Sequence, residues 1–308
     1  MRTVFMGNPE FAIPTLKALQ HSNHDLVAVV SNPPKPMGRG RALRSTAVGQ
    51  FARDQGFPLI EPRSLRSQDL NKQLTALTPD LFVVVAFKIL PKSLIDLPRF
   101  GALNLHASLL PQYRGAGPIQ WALMNGDRTT GVTVFQITPD VDTGDILLQQ
   151  EIAIAADDTM WTLGMRLCEA GAGLVIEAMD ALETGSISGR PQDPALATPA
   201  PKITKEMTLI DWSWPAEKIH NWVRGLSPFP GMVTTLEGKQ FRIFKTAVLD
   251  RQGTKPGTIV EFDNGSLVIA TGEGLLSLLE VQIEGKKKMP AADFLRGATL
   301  KAGDRLGL

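Results

Sequence analysis

The chain has 308 residues, 43% of them hydrophobic and 20% charged, with a formal net charge of +1. That length allows two domains with sizeable cores, and the near-neutral balance argues neither for nor against nucleic acid. No apolar run is long enough to span a bilayer, MRTVFMGNPEF lacks the apolar core of a signal peptide, and the single Cys168 builds neither a disulfide framework nor a zinc site, which points to a reducing, cytoplasmic setting.

In chain order, RTVFMG is a short apolar run closed by glycine and predicts a first strand, followed by helical spacing in PEFAIPTLKALQH. DLVAVVS and PDLFVVVAF predict further strands with the helix TAVGQFARDQG between them. GALNLHAS, GVTVFQIT and GDILLQQEIAI read as strands, PIQWALMNG and WTLGMRLCEAGAGLVIEAMDAL as helices. Apolar strands alternating with helices predict an α/β domain over 1–183, a Rossmann-like parallel sheet covered on both faces. It is not a dinucleotide site: the first strand leads into MGNPEF rather than a three-glycine loop, and SNPPKP after the second offers no acid for a ribose.

Residues 184–206, TGSISGRPQDPALATPAPKITKE, lack an apolar period and are expected to form an exposed linker. From 207 to 308, one amphipathic helix, AEKIHNWVRGL, precedes short glycine-punctuated strands that suit a small OB-like β-barrel. His21 and His24 are expected to be solvated, His220 structural, Cys168 a buried small hydrophobe, and Trp212, Trp214 and Trp222 part of the barrel core.

Charge is uneven despite the neutral total. PPKPMGRGRALR carries Lys35, Arg39, Arg41 and Arg44 with no acid among them, and Lys286, Lys287 and Lys288 form a second cluster. Such runs are either solvated loops or the footprint of a phosphate backbone.

The chemistry concentrates in NLHASLLPQYRGAGPIQWAL. Side chains two apart on a strand share a face, so Asn104 and His106 point one way near the strand's end. About thirty-five residues later, QITPDVDTGDIL supplies Asp140, Asp142 and Asp145 in a glycine-containing loop. If the two strands are neighbours, a carboxylate reaches the imidazole. An amide, an imidazole and a carboxylate, with no nearby cysteine and no nucleophile elbow around Ser108, suit a bound amine attacking a bound carbonyl.

The stretch HASLLPQYRGAGPIQWALMNGDRTTGVTVFQITPDVDTGDIL resembles the signature of the 10-formyltetrahydrofolate-dependent formyltransferases, and the likeness extends through FMGNPEFA, NPPKPMGRGRAL, IDWSWPAEKIHNWVRGLSPFPGM and VQIEGKKKMPAADFLRG to nearly the whole chain. The resemblance implies a catalytic trio of Asn104, His106 and Asp142, with 10-formyltetrahydrofolate as co-substrate and no metal. It implies folate contacts at Ser108, Leu109, Leu110 and Pro111, at Val85 and Phe87 in VVVAF, and at Asp140. The acceptor it implies is methionyl-initiator tRNA, bound by a monomer through Lys35, Arg39, Arg41 and Arg44 and through the lysines at 286–288. A UDP-amino sugar is the alternative acceptor. The sequence departs from the family at Asn8, at Phe87 and at Lys88, where a glycine is usual; lysine there is strained if the position needs positive φ.

Overall fold

The computed structural model describes residues 1–37, 41–251, 255–263 and 265–307. The chain forms two compact units. One contains Met1–Gly115, Thr129–Ala153 and Gly164–Ala200; the other contains Ala116–Arg128, Ile154–Leu163 and Pro201–Leu308. Among the described residues, no helix is long and apolar enough to cross a membrane.

The strands of the first unit are β1 (Arg2–Gly7), β2 (Asp25–Val30), β3 (Lys35–Met37), β4 (Ala42–Arg44), β5 (Leu59–Ile60), β6 (Leu81–Val85), β7 (Ala102–His106), β8 (Thr129–Gln136) and β9 (Ile146–Ala153). Seven of them make one sheet in the order β5-β2-β1-β6-β7-β8-β9. The first five run parallel, as the alternating strand and helix pattern predicts. β6, LFVVV, is buried throughout, as a strand covered on both faces must be. Val4, Met6, Phe82 and Val84 share one core with Leu70 and Leu74 of the helix Gln68–Ala76. That helix starts at Ser67, whose hydroxyl accepts from Leu70 N and caps the first turn.

β8 and β9 depart from the parallel expectation: β8 runs antiparallel to β7, and β9 antiparallel to β8. The loop 137–145 is too short for the crossover that a parallel β8–β9 pair would need. β3 and β4 stand apart as a two-stranded ribbon.

The proline-rich segment expected as a linker carries structure as far as Ala200. Arg190 and Ile146 exchange backbone hydrogen bonds of 2.8 and 2.9 Å. Arg114 N donates to Thr198 O at 2.8 Å, and Ala200 N to Arg114 O at 2.7 Å. Backbone pairing carries no side-chain period, so composition alone reads as a linker here.

The second unit holds β10 (Met232–Leu236), β11 (Lys239–Leu249), β12 (Ile259–Asp263), β13 (Ser266–Ala270), β14 (Leu275–Ile283) and β15 (Met289–Pro290). They form an antiparallel sheet in the order β10-β11-β14-β13-β12, with β15 on β14. Its core joins Phe241, Ile243, Leu276 and Leu278 to Ile219 and Val223 of the helix Ala216–Gly225. Trp212 is buried there and Trp214 and Trp222 pack against it, as the sequence suggests. The sequence reading places Ala116–Arg128 in the first domain, but this stretch groups with the second unit. Trp121 meets Trp222 edge-on at 6.3 Å, and its indole N–H donates to Pro201 O at 2.8 Å.

Candidate active site

β7 carries Asn104 and His106 between two neighbours. Val84 of β6 lies beside Asn104, and Phe135 and Thr133 of β8 lie beside Asn104 and His106. Alternation along the strand buries Leu103 and Leu105 and leaves Asn104 half-buried. Among the described residues the Asn104 carboxamide has no hydrogen-bond partner, so its N–H donors are open to a ligand.

His106 is buried, at 6% exposure, and meets Phe135 edge-on at 6.4 Å. Its Nε2 lies 2.9 Å from Tyr113 O, a carbonyl that can only accept, so this nitrogen carries the proton. Nδ1 lies 3.7 Å from Asp142 Oδ2. That is ion-pair range but longer than a hydrogen bond, so the Nδ1 edge is not closed by the protein. The same carboxylate oxygen accepts from Gly115 N at 2.8 Å.

Asp142 reaches the imidazole by an unexpected route. β8 is antiparallel to β7, so its C-terminal residue Gln136 pairs with Leu103 near the start of β7, while His106 pairs with Thr133. The loop 137–145 therefore leaves from the wrong end and must double back. Gln136 N donates to Asp145 O at 2.9 Å, closing the turn. Gly144 is required there: a Cβ would lie 1.7 Å from Gln136 O. Asp142 itself takes a positive φ of 54°.

The other predicted residues fall in distinct settings. Ser108 is fully buried and its hydroxyl donates to Gln112 O at 2.6 Å, so it presents no free hydroxyl. Leu110 turns inward to Phe135 and Ile146, whereas Leu109 and Pro111 are half-buried. Val85 is buried at the end of β6, and Phe87 packs against the core that contains Val84. Asp140 is exposed, its carbonyl accepting from the hydroxyls of Thr138 and Thr143 at 3.2 and 3.1 Å.

Lys88 is exposed and outside the left-handed region, so lysine is not strained there; the positive φ of this loop, 48°, is at Ala86. Asn8 has a defined task, its side-chain oxygen accepting from Asn32 N at 2.9 Å. His24 is buried rather than solvated, 3.1 Å from the Asp180 carboxylate, and burial first of all holds its imidazole below the usual range. Burial likewise pushes the Cys168 thiol up to about 11, which suits an inert core residue.

Of the basic residues, Arg39 lies outside the described residues. Lys35 and Arg44 are directly paired across the β3–β4 ribbon, and Leu43 beside them is 72% exposed. Lys35, Arg41 and Arg44 have no acidic partner among the described residues. Like charges facing each other across a ribbon repel, and an external anion relieves that repulsion. Lys286, Lys287 and Lys288 are exposed beyond β14, but Lys288 already pairs with Glu280 at 2.8 Å.

Sequence reasoning does not find Gln192. Its amide donates to Asp142 O at 2.9 Å and Gly144 O at 2.8 Å. Nor does it find the two backbone groups that hold the pair, Tyr113 O and Gly115 N, because neither contact depends on the identity of a side chain.

Residues 1–179 match the family described as Formyl transferase, and residues 202–299 match Formyl transferase, C-terminal domain. The methionyl-tRNA formyltransferase of Geobacter metallireducens is 43% identical over 305 residues, covering 99% of this chain and 98% of that one. The methionyl-tRNA formyltransferase of Acidobacterium capsulatum is 43% identical over 310 residues, covering 100% of each chain. Among solved structures, HypX from Aquifex aeolicus in complex with tetrahydrofolic acid superposes with a TM-score of 0.68 at 19% identity. That likeness, which speaks to the fold, covers 100% of this chain but only 51% of HypX.

Proposed function

The chain belongs to the formyl transferase family, and we propose that it moves the formyl group of 10-formyltetrahydrofolate onto the amino group of methionyl-initiator tRNA. The observation that carries the site is the buried His106 between Tyr113 O and the Asp142 carboxylate, beside the unpartnered Asn104 carboxamide. The acceptor follows from the two full-length relatives that bear that name and from the acid-free basic ribbon.

In the proposed reaction the neutral amine of the aminoacyl group attacks the formyl carbon of the donor. A carbon–nitrogen bond forms to the acceptor, and negative charge develops on the formyl oxygen. The Asn104 amide and the Nδ1 edge of His106 donate to that oxygen, and the Asp142 carboxylate stabilises the imidazolium that does so. The bond from the formyl carbon to the donor nitrogen then breaks. The proton lost by the amine ends on that nitrogen, releasing tetrahydrofolate. No protein-bound intermediate is involved.

Leu109 and Pro111, the backbone of 85–87 and the loop containing Asp140 would hold the folate. Lys35, Arg39, Arg41 and Arg44 of the basic stretch PPKPMGRGRALR would hold the RNA backbone, with Lys286, Lys287 and Lys288 adding nonspecific attraction. A monomer working in the cytoplasm completes the reading.

The test is one competition assay in which the protein and 10-formyltetrahydrofolate meet methionyl-initiator tRNA, free methionine and a UDP-amino sugar. Formylation of the charged tRNA alone is expected. Formylation of the sugar would keep the trio and overturn the acceptor.

A further inference from the structure

We propose that residues 190–200 form a strap that sets both sides of the His106 imidazole, with Gln192 as its central positioning residue. The inference rests on the reading of His106 and Asp142 as the site of formyl transfer. The strap is pinned at one end by the Arg190–Ile146 backbone pair and at the other by the Ala200 N–Arg114 O bond. Between these ends it touches the two segments that touch His106.

Towards Asp142, the Gln192 amide N–H groups donate to the carbonyls of Asp142 and Gly144. Its oxygen accepts twice from one guanidinium, at 3.1 Å from Arg114 Nε and 2.7 Å from Arg114 Nη2. A carboxamide has two donors and one oxygen with two lone pairs, so all of its capacity is used. Towards Tyr113, the Thr198 hydroxyl accepts from Tyr113 N at 2.8 Å, and Thr198 O accepts from Arg114 N. The strap backbone passes so close that a Cβ on Gly115 would lie 2.6 Å from Ala200 O.

Tyr113 and Asp142 both sit at positive φ, 60° and 54°. Such conformations are disfavoured for most non-glycine residues, least so for aspartate, and surrounding contacts stabilise them. The strap supplies contacts to both residues, through Thr198 to Tyr113 and through Gln192 to Asp142, and these two residues supply the carbonyl at Nε2 and the carboxylate at Nδ1. Gln192 touches no reacting atom in this scheme and acts through Asp142. Glutamate at 192 would keep an acceptor for Arg114 but lose both donors. It would also set a second anion against the carbonyls of the Asp142 loop.

The experiment uses the full chain with Gln192→Ala, Gln192→Glu and Thr198→Val. Steady-state formylation of methionyl-tRNA is followed across pH, and ring ¹⁵N signals of His106 are recorded at fixed pH. Both Gln192 variants are expected to lower kcat by about 10–100-fold, with KM for the tRNA within about twofold, because displacements near 1 Å at a reacting pair have effects of this size. The pH–kcat profile and the His106 ring signals should move with them. Thr198→Val should show the same signature more weakly, and it serves as the test if the Gln192 variants do not fold. Unchanged kcat and unchanged His106 signals in a folded variant overturn the strap. If the wild-type protein formylates no tRNA, the functional reading fails instead, and the His106 signals still decide the strap.

Discussion

His106 ends β7 in the first unit, and His220 sits on the helix Ala216–Gly225 in the second. His106 is buried and His220 half-buried, and each has one ring nitrogen hydrogen-bonded within the protein, His106 to Tyr113 O and His220 Nδ1 to the Thr246 hydroxyl at 2.9 Å. They differ in the charge that faces them. His106 looks at the Asp142 carboxylate, whereas His220 has the Arg224 guanidinium for a neighbour. Burial pushes the His220 imidazole down to about 4, and Arg224 adds to that effect. Arg224 itself is anchored in the second unit, donating to Asn221 Oδ1 at 2.7 Å and Asp158 O at 3.2 Å. A half-hidden histidine is therefore no sign of chemistry by itself. Between these two, the charge of the neighbour separates the candidate acid from the packing residue; His24 also faces carboxylates, but burial outweighs them.

The largest expected effect tests the first half of that comparison. His106→Ala should lower kcat for methionyl-tRNA by about 10²–10⁴-fold, the span of acid–base and oxyanion contributions, while the circular dichroism spectrum stays native. Near-normal turnover would remove His106 from the mechanism. Asn104→Ala follows, with a loss of about 10²–10³-fold for one oxyanion donor. If KM alone rises, the amide binds substrate without stabilising the transition state.

Much of this half is legible in the sequence. Period-two alternation puts Asn104 and His106 on one face, and the glycine-containing loop offers aspartates that reach the imidazole if the two strands are neighbours. The route of that loop was not legible. A parallel β8 would have delivered Asp142 from the same end as His106; the antiparallel β8 delivers it from the other end by a tight return at Gly144. The strap is not legible for a different reason. Its anchors are backbone carbonyls and amides, one carboxamide and one hydroxyl within a proline-rich run, a composition that suggests a spacer. The burial of His24 is not legible because its partners, Asp180 and Glu183, lie 156 or more residues away in sequence.

The second half of the comparison is tested through stability. An unfolded histidine titrates near 6.5, and folded His220 titrates at about 4, so the unfolded chain binds more protons between those values. The contribution is fully present above pH 6.5, is lost as pH falls towards 4, and changes no further below that. Solvent screening of the partly exposed ring trims the linkage value to an expected loss of about 2 kcal/mol. Measured as the difference in denaturation free energy between wild type and His220→Gln, this slope should be absent from the variant. Formyl transfer by His220→Gln at pH 7.5 should match wild type, and a large loss of kcat would mean that His220 does more than pack.

The smallest effects concern the two basic patches, where the same rule about neighbours applies to lysines. Lys287 is exposed, with no acidic partner among the described residues, whereas Lys288 is 2.8 Å from Glu280 and 5.4 Å from the Phe244 ring centroid. A cation that releases a counterion from RNA must be free to meet a phosphate, and a lysine held by glutamate contributes less. Each phosphate contact contributes about 0.7–0.9 to the slope of log affinity against log salt. Arg44→Ala, on the acid-free ribbon, should remove about one contact's share of the slope for tRNA. Lys287→Ala should remove part of a share, and Lys288→Ala the least. Equal losses at 287 and 288 would show that Glu280 releases Lys288 when RNA binds, and Glu280→Gln would then leave the slope unchanged. If Glu280 does hold the lysine back, Glu280→Gln should steepen the slope by freeing it.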